Sequence, residues 1–397
     1  MAQVSDRLNR LSESATLAMA RKTRELKAEG KNIIGLSLGE PDFYTPDFIK
    51  EAAKDGIDQN YTQYTPVEGY ADLKQAIAHK FKRDNGLTYG MDQIVASTGA
   101  KQSLANVVLS IINPGDEVII PAPYWVTYEE LVKLAEGVPV FIETTIENDF
   151  KITGKEFQDA ITPKTKLMIF SSPCNPTGSL YSKEELRSLA DVLVKNKEVI
   201  VISDEIYEHI NFVGKHQSLA QFDDVYEQVV TINGVSKAFA MTGWRLGYMG
   251  APAWIAKACV KMQGQVTSGT CSIAQRATIA ALNADPNVTH QMRDAFKSRR
   301  DFMLGELRKI NGVKINVPEG AFYVFPDVSG FFGKSFGSTK IENADDVAMY
   351  LLMDAEVATV TGAAFGDPKC IRISYAASDE DLKEAMIRIS RSLNKLV

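Results

Sequence analysis

Lys237 and Arg245 lie eight residues apart in the stretch Thr231–Tyr248, TINGVSKAFAMTGWRLGY. The stretch opens as a short apolar strand that ends at Gly234, and a second strand-like run follows Arg245. A lysine just past a strand end can project into a cleft. An arginine eight residues on can return to the same cleft and hold an anion. Schiff-base chemistry on a phosphorylated cofactor needs such a pair. A lone lysine is more often a solvated surface residue, and a lone arginine an ordinary salt-bridge partner. Here the two are the only charges in the stretch, where a polar surface loop usually carries more.

In open parallel sheets, ligands bind beyond the carboxyl ends of the strands. Residues at the predicted strand ends are therefore the next candidates. Gly99 follows the strand Gln93–Ser97, Asn175 follows Lys166–Ser171, Asp204 follows Glu198–Ser203 and Lys237 follows Gln228–Ile232. The amides of Gly99, Ala100 and Lys101 open a helix whose free N–H groups and dipole suit a phosphate. Arg245 adds a fixed fork for the same group. Asp204 stands where a buried carboxylate could pair with a protonated ring nitrogen. Tyr207, one helical turn on, could hydrogen-bond a ring oxygen, and Trp125 in Pro123-Tyr124-Trp125 could stack on a ring face. Taken singly, Asp204 reads at least as well as a helix cap and Trp125 as a core residue. Their occurrence at successive strand ends shifts the balance towards a shared crevice.

Other patterns lead nowhere. Gly333-Lys334-Ser335 resembles the tail of a phosphate-binding loop, but the required first glycine would fall on Val328. There is no GxGxxG and no GxSxG. Glu205, Glu208 and His209 match neither zinc-protease motif, so His209 reads as structural. His79, His216 and His290 have no ligand-spaced partner, and no metal is expected.

The elements that must position these residues follow a regular rhythm. From Gln93 the chain alternates strand, glycine and helix through Glu117–Pro121, Val138–Glu143, Lys166–Ser171, Glu198–Ser203 and Gln228–Ile232. That alternation argues for an α/β fold with a mostly parallel, helix-covered sheet. EVIVIS is continuously apolar, as in a strand covered on both faces. Ser182-Lys183-Glu184-Glu185 is a capping box for one of the helices, and Thr45-Pro46 reads as the cap and first residue of another. Later segments mix long helices with short strands at Ala321–Pro326, Ala358–Val360 and Ile371–Tyr375, a smaller α+β unit that the N-terminal segment, with its strand Asn32–Leu38, is expected to join. The predicted boundaries are 48–290 for the large domain, and 1–47 with 291–397 for the small one.

The 397 residues are 45% hydrophobic and 24% charged, with a formal charge of −6 and no basic run. Nucleic-acid and membrane-surface roles are not expected from that balance. No apolar run is long enough to span a bilayer. The N-terminus has no apolar signal core, and four scattered cysteines without a CxxC suit a reducing, cytoplasmic setting.

Together these motifs resemble the class I aminotransferases among the fold-type-I pyridoxal-phosphate enzymes, and within them the aspartate aminotransferase group found in many bacteria. The likeness runs nearly end to end, through SATLAMARK, LGEPDF, YTPVEGY, PYW, NPTG, SDEIYEH, SKAFAMTGWRLGY, GAFYVFPD and CIRISYA. NPTG alone is weak, whereas the ordered set is specific. The resemblance implies pyridoxal 5'-phosphate held by Lys237 as a Schiff base. Asp204 would meet its ring nitrogen, and Tyr207 with Asn175 its ring oxygen. Trp125 would stack on the ring, and Gly99, Ala100, Lys101 and Arg245 would lie at or near the phosphate. Tyr64 would reach the phosphate of a neighbouring subunit, making an obligate homodimer. Arg372 would grip the substrate α-carboxylate, with Gly39, Trp125 and Asn175 assisting. Lys101, aided by Ser14 and Thr16, would meet a distal carboxylate.

Two departures from the family pattern stand out. Gly234 occupies the position where many members have a phosphate-binding serine. Gly264–Cys271 contains no arginine of the kind animal-type enzymes use for the distal carboxylate. The implied activity is ping-pong transamination between aspartate or glutamate and 2-oxo acids, with Lys237, Asp204 and Tyr207 as the catalytic set. The alternatives are a prephenate, aromatic or branched-chain aminotransferase, a lyase on the same scaffold, or a non-catalytic cofactor-binding regulator.

Overall fold

The structure, a computed structural model, describes residues 4–397. A seven-stranded sheet forms its centre, in the order Ile94–Ser97, Gly247–Gly250, Val229–Gly234, Ile200–Asp204, Thr165–Ser171, Glu117–Ala122 and Val138–Glu143. Every strand runs the same way except Gly247–Gly250, which is antiparallel to both neighbours. The apolar run EVIVIS becomes Ile200–Asp204, buried throughout. Its alternate side chains enter two cores. Val201 packs with Met168, Phe170 and Val229 on one face, and Ile200 and Ile202 pack with Leu167, Ile169 and Val230 on the other. Each such aliphatic side chain contributes roughly 1.5–3 kcal/mol when fully buried. The strand is thereby fixed in register, and with it the residue at its end, Asp204.

A separate core gathers Ile34, Leu36, Phe296, Tyr323, Val347, Ile373 and Leu382. It is built on a three-stranded antiparallel sheet of Val360–Thr361, Ile371–Ser374 and Tyr323–Val324, with the helices His290–Leu307, Ala344–Asp354 and Asp379–Leu393. Ile34–Gly35 pairs with Val357–Ala358, which attaches the N-terminal segment to this unit.

Several local expectations need correction. The strand expected over Asn32–Leu38 contracts to Ile34–Gly35, and the single strand expected at Ala358–Val360 is two, serving two sheets. Thr45 caps nothing. Its hydroxyl donates to the Ala240 carbonyl at 2.8 Å, and the helix Asp47–Asp58 begins behind Pro46. The capping box expected at Ser182 is present, and Ser378 caps the helix Asp379–Leu393. Helix Ala253–Val266, which follows Pro252, was not foreseen.

Candidate active site

The carboxyl ends of the strands open into a cavity of about 270 Å³. Lys237, Asp204, Tyr207, Asn175, Trp125, Ala100, Lys101 and Arg245 line it from the large unit, and Arg372, Gly39, Ser14 and Thr16 from the rest of the chain. Gly99 lies just outside the lining, as the residue that caps the helix Ala100–Ile111. Tyr64 stands apart, 99% exposed and not on the cavity wall.

Lys237 leaves the end of Val229–Gly234, and its Nζ donates to the Gly39 carbonyl at 2.7 Å. Burial brings its pKa down to about 8; Glu40 and Asp204 oppose that shift, and Arg245 and Arg372 reinforce it. A substantial neutral fraction near physiological pH makes the amine a nucleophile.

Asp204 is buried, and the Tyr128 hydroxyl donates to its Oδ2 at 2.7 Å. Burial pushes its carboxyl up to about 6, with the hydrogen bond from Tyr128 acting the other way. An acid whose pKa is raised on folding stabilises the fold fully below its unfolded value. It loses that contribution as pH rises through the folded value. For Asp204 the window runs from about 4 to about 6. In the cofactor-free protein, Asp204→Asn is therefore expected to raise the melting temperature at about pH 7.5 and to have lost that gain by about pH 4. Calorimetry at the two pH values checks this, and a pH-independent difference would contradict it.

At the helix end, Gly99 has φ 82 and Arg245 has φ 56, both in the left-handed region. A Cβ on Gly99 would run into the Arg245 guanidinium, and one on Gly247 into the Ala100 amide nitrogen. The two glycines thus let the fork lie against the helix N-terminus, where an anion is favoured twice over. Gly234 is packed against Gly247 Cα and the Leu246 carbonyl, each 3.0 Å from where its Cβ would be. The hydroxyl missing at 234 has a neighbour on the cavity wall in Ser236.

Arg372 is 2% exposed. Its Nη1 donates to Asn175 Oδ1 at 2.8 Å and its Nη2 to the Ser37 carbonyl at 2.7 Å. The guanidinium lies between the rings of Tyr323 and Phe365, 4.6 and 4.7 Å from their centroids. Burial lowers its pKa. Among the described residues no carboxylate pairs with it, and its Nε–H has no acceptor. A buried cation with an unused donor is suited to an incoming carboxylate. Lys101 Nζ lies 4.9 Å from the Trp125 ring centroid. Desolvation, then the charge of Arg245, hold its pKa below the ordinary lysine value.

Tyr128 and Tyr323 are cavity residues that sequence reasoning missed. Tyr128 stands one helical turn beyond Trp125, and Tyr323 lies inside the GAFYVFPD motif, so both had weak signals. Behind the site, Asp84, Glu208 and His209, and Glu205, Glu208 and His216, bring potential ligand atoms within 4.8 Å of one another. The Lys80 ammonium pairs with Glu208 and donates to Asn85 at 2.7 Å, so a cation is already built into that cluster.

The fold and this cavity define a protein class. The family model "Aminotransferase class I and II" matches residues 31–389, and the chain belongs to that family. Among its relatives is a probable aspartate/prephenate aminotransferase of Rhizobium leguminosarum bv. phaseoli, 48% identical over 98% of both chains. A bifunctional aspartate aminotransferase and glutamate/aspartate-prephenate aminotransferase of Petunia hybrida is 45% identical, over 98% of this chain and 82% of that one. Among solved structures, the aspartate aminotransferase from Rhizobium meliloti superposes with a TM-score of 0.97 at 42% identity, over the whole of both chains. The Thermus thermophilus enzyme with maleate gives 0.93 at 40% identity, over 99% of this chain and 100% of that one.

The chain is thus a pyridoxal 5'-phosphate enzyme, and the residues present fit that group. The glycine cradle beside Arg245 suits its phosphate, the buried Asp204 carboxylate a protonated nitrogen, and the partly neutral Lys237 its aldehyde.

Proposed function

We propose that this aminotransferase exchanges amino groups between aspartate or glutamate and 2-oxo acids, converting aspartate and 2-oxoglutarate to oxaloacetate and glutamate. The observation that carries this reading is the meeting of two cationic side chains, Arg372 and Lys101, with Lys237 in one cavity. A substrate with a carboxylate at each end can use both. The relatives named for aspartate, and the Thermus neighbour crystallised with the dicarboxylate maleate, support it.

The cofactor, when bound, supplies an aldehyde that condenses with a primary amine and a ring that takes up the electron pair left at the substrate Cα. In this reading, Gly99, Ala100 and Arg245 hold the phosphate, with Lys101 beside them and Ser236 in the place Gly234 leaves open. Trp125 covers one ring face. Asp204, oriented by Tyr128, keeps the ring nitrogen protonated. Tyr207 and Asn175 face the ring oxygen. Arg372 fixes the α-carboxylate, with Asn175 and the Gly39 backbone beside it. Lys101, with the hydroxyls of Ser14 and Thr16, orients the distal carboxylate. Once its amine is free, Lys237 carries the proton away from Cα. The 2-oxo product leaves before the second substrate enters, which gives ping-pong kinetics.

A second reading, in which prephenate is an acceptor, is favoured by the printed names of several relatives. Prephenate also carries two carboxylates, so both readings use Lys101. Wild type and Lys101→Met assayed with glutamate and a panel of 2-oxo acids test them together. The variant is expected to lose about tenfold to a hundredfold in kcat/KM for dicarboxylates and little for neutral acids. An equal loss for both classes would contradict the role of Lys101.

We also infer a homodimer with Tyr64 reaching the partner's site, supported by its full exposure off the wall of its own cavity. A fully active monomer in solution would refute it. The division at 48–290 against 1–47 and 291–397 is supported by the separate second core, although Ile206, Tyr207 and Ile210 of the large unit join that core. A cytoplasmic location is consistent with four free cysteines, and cell fractionation tests it. Among the described residues no helix is long and apolar enough to cross a membrane.

A further inference from the structure

Tyr323 has no part in the scheme above, yet it touches three components of the site. It is 1% exposed and lines the cavity. Its hydroxyl lies 2.8 Å from the Tyr207 hydroxyl. The Arg372 guanidinium covers its ring at 4.6 Å from the centroid. Gly39, whose carbonyl holds Lys237, is packed so close that a Cβ there would run into the Tyr323 hydroxyl.

Each phenol has one proton to donate and lone pairs to accept. If Tyr207 donated to Tyr323, it would have nothing left for a ligand. Among the described residues, the Tyr323 hydroxyl has no hydrogen-bond partner other than Tyr207. Either hydroxyl could be the donor in this contact, and only donation from Tyr323 leaves the Tyr207 proton free for a ligand. We propose that Tyr323 is a positioning residue that donates to Tyr207 and so aims the single Tyr207 proton at the cofactor's ring oxygen. This rests on the reading that Tyr207 faces that oxygen. A hydrogen bond received from Tyr323 polarises the Tyr207 O–H and makes it a stronger donor. The ring of Tyr323 is held for this task by the Arg372 cation on its face and by Phe322, whose centroid lies 4.8 Å away.

The holoenzyme's visible absorbance reports this directly. A donor to the ring oxygen favours its negative form and lowers the pH midpoint of the colour change, so weakening the donor raises the midpoint. Tyr323→Phe keeps the ring under Arg372 and removes only the hydroxyl. It is expected to raise the midpoint by about 0.5 to 1 pH unit. Tyr207→Phe should raise it further, and adding Tyr323→Phe to that variant should change nothing more, because Tyr323 acts through Tyr207. An unmoved midpoint in Tyr323→Phe, or an equal shift in the Tyr207→Phe background, would overturn the proposal. An unmoved midpoint in Tyr207→Phe would overturn the placement of Tyr207, and this proposal with it. Should Tyr323→Phe not load cofactor, replacing Tyr323 by 3-fluorotyrosine provides a second arm. That more acidic phenol is expected to lower the midpoint, and a rise or no change would overturn the proposal.

Discussion

Lys237→Ala is expected to lower the rate of aspartate–2-oxoglutarate exchange by about four orders of magnitude or more. Two functions leave with the side chain. One is the amine that captures the cofactor, and the other is the base that moves the Cα proton, and a positioned acid–base group alone is worth roughly 10²- to 10⁴-fold. The loss should not come from unfolding. Lys237 is a desolvated amine whose pKa has fallen to about 8, so burying its charged form costs stability, and an alanine there removes that cost. The cofactor-free variant is expected to melt no lower than the wild type. Its rate with saturating substrates, read beside that melting curve, separates the two causes. Wild-type activity in a folded Lys237→Ala protein would remove the basis of the scheme.

Arg372→Leu should act on binding instead. Truncating one member of a buried, hydrogen-bonded charge pair costs about 2–5 kcal/mol, which corresponds to roughly 30- to 4,000-fold in KM for every amino-acid substrate. The effect is expected to be general across substrates because the α-carboxylate is common to all of them. It also leaves Asn175 Oδ1 and the Ser37 carbonyl without the donors they have now. Arg372→Lys is expected to recover little, since an ammonium cannot reproduce two forked bonds while lying flat between Tyr323 and Phe365. Steady-state KM values for aspartate and glutamate decide the matter. An Arg372→Leu enzyme with unchanged KM would place the clamp elsewhere.

These residues differ in how far the sequence revealed them. Asp204 and Lys237 were legible because each ends an apolar strand whose two faces are both covered, and such strands announce themselves as unbroken hydrophobic runs. Arg372 was found only through the family resemblance: CIRISYA by itself is a short strand, and its burial between two rings depends on segments far away in the chain. Tyr128 and Tyr323 escaped for the same reason, since a hydroxyl's partner across 76 or 116 residues is set by packing and not by local pattern. Thr45 shows the opposite error. Its cap-like setting before Pro46 is a sound local signal, but its hydroxyl donates to the Ala240 carbonyl and accepts from the Trp244 indole N–H, not from a helix amide. The reversed strand Gly247–Gly250 was likewise hidden, because direction in a sheet follows from how the connection returns, not from composition.

The central claim is that this cavity moves an amino group from aspartate onto bound pyridoxal 5'-phosphate. Its most direct test is to mix the holoenzyme with L-aspartate alone, without any 2-oxo acid, and to follow the visible absorbance while assaying oxaloacetate. The expected result is loss of the absorbance of the lysine-bound cofactor, with release of about one equivalent of oxaloacetate per chain. An unchanged spectrum, or a changed spectrum without oxaloacetate, would contradict it.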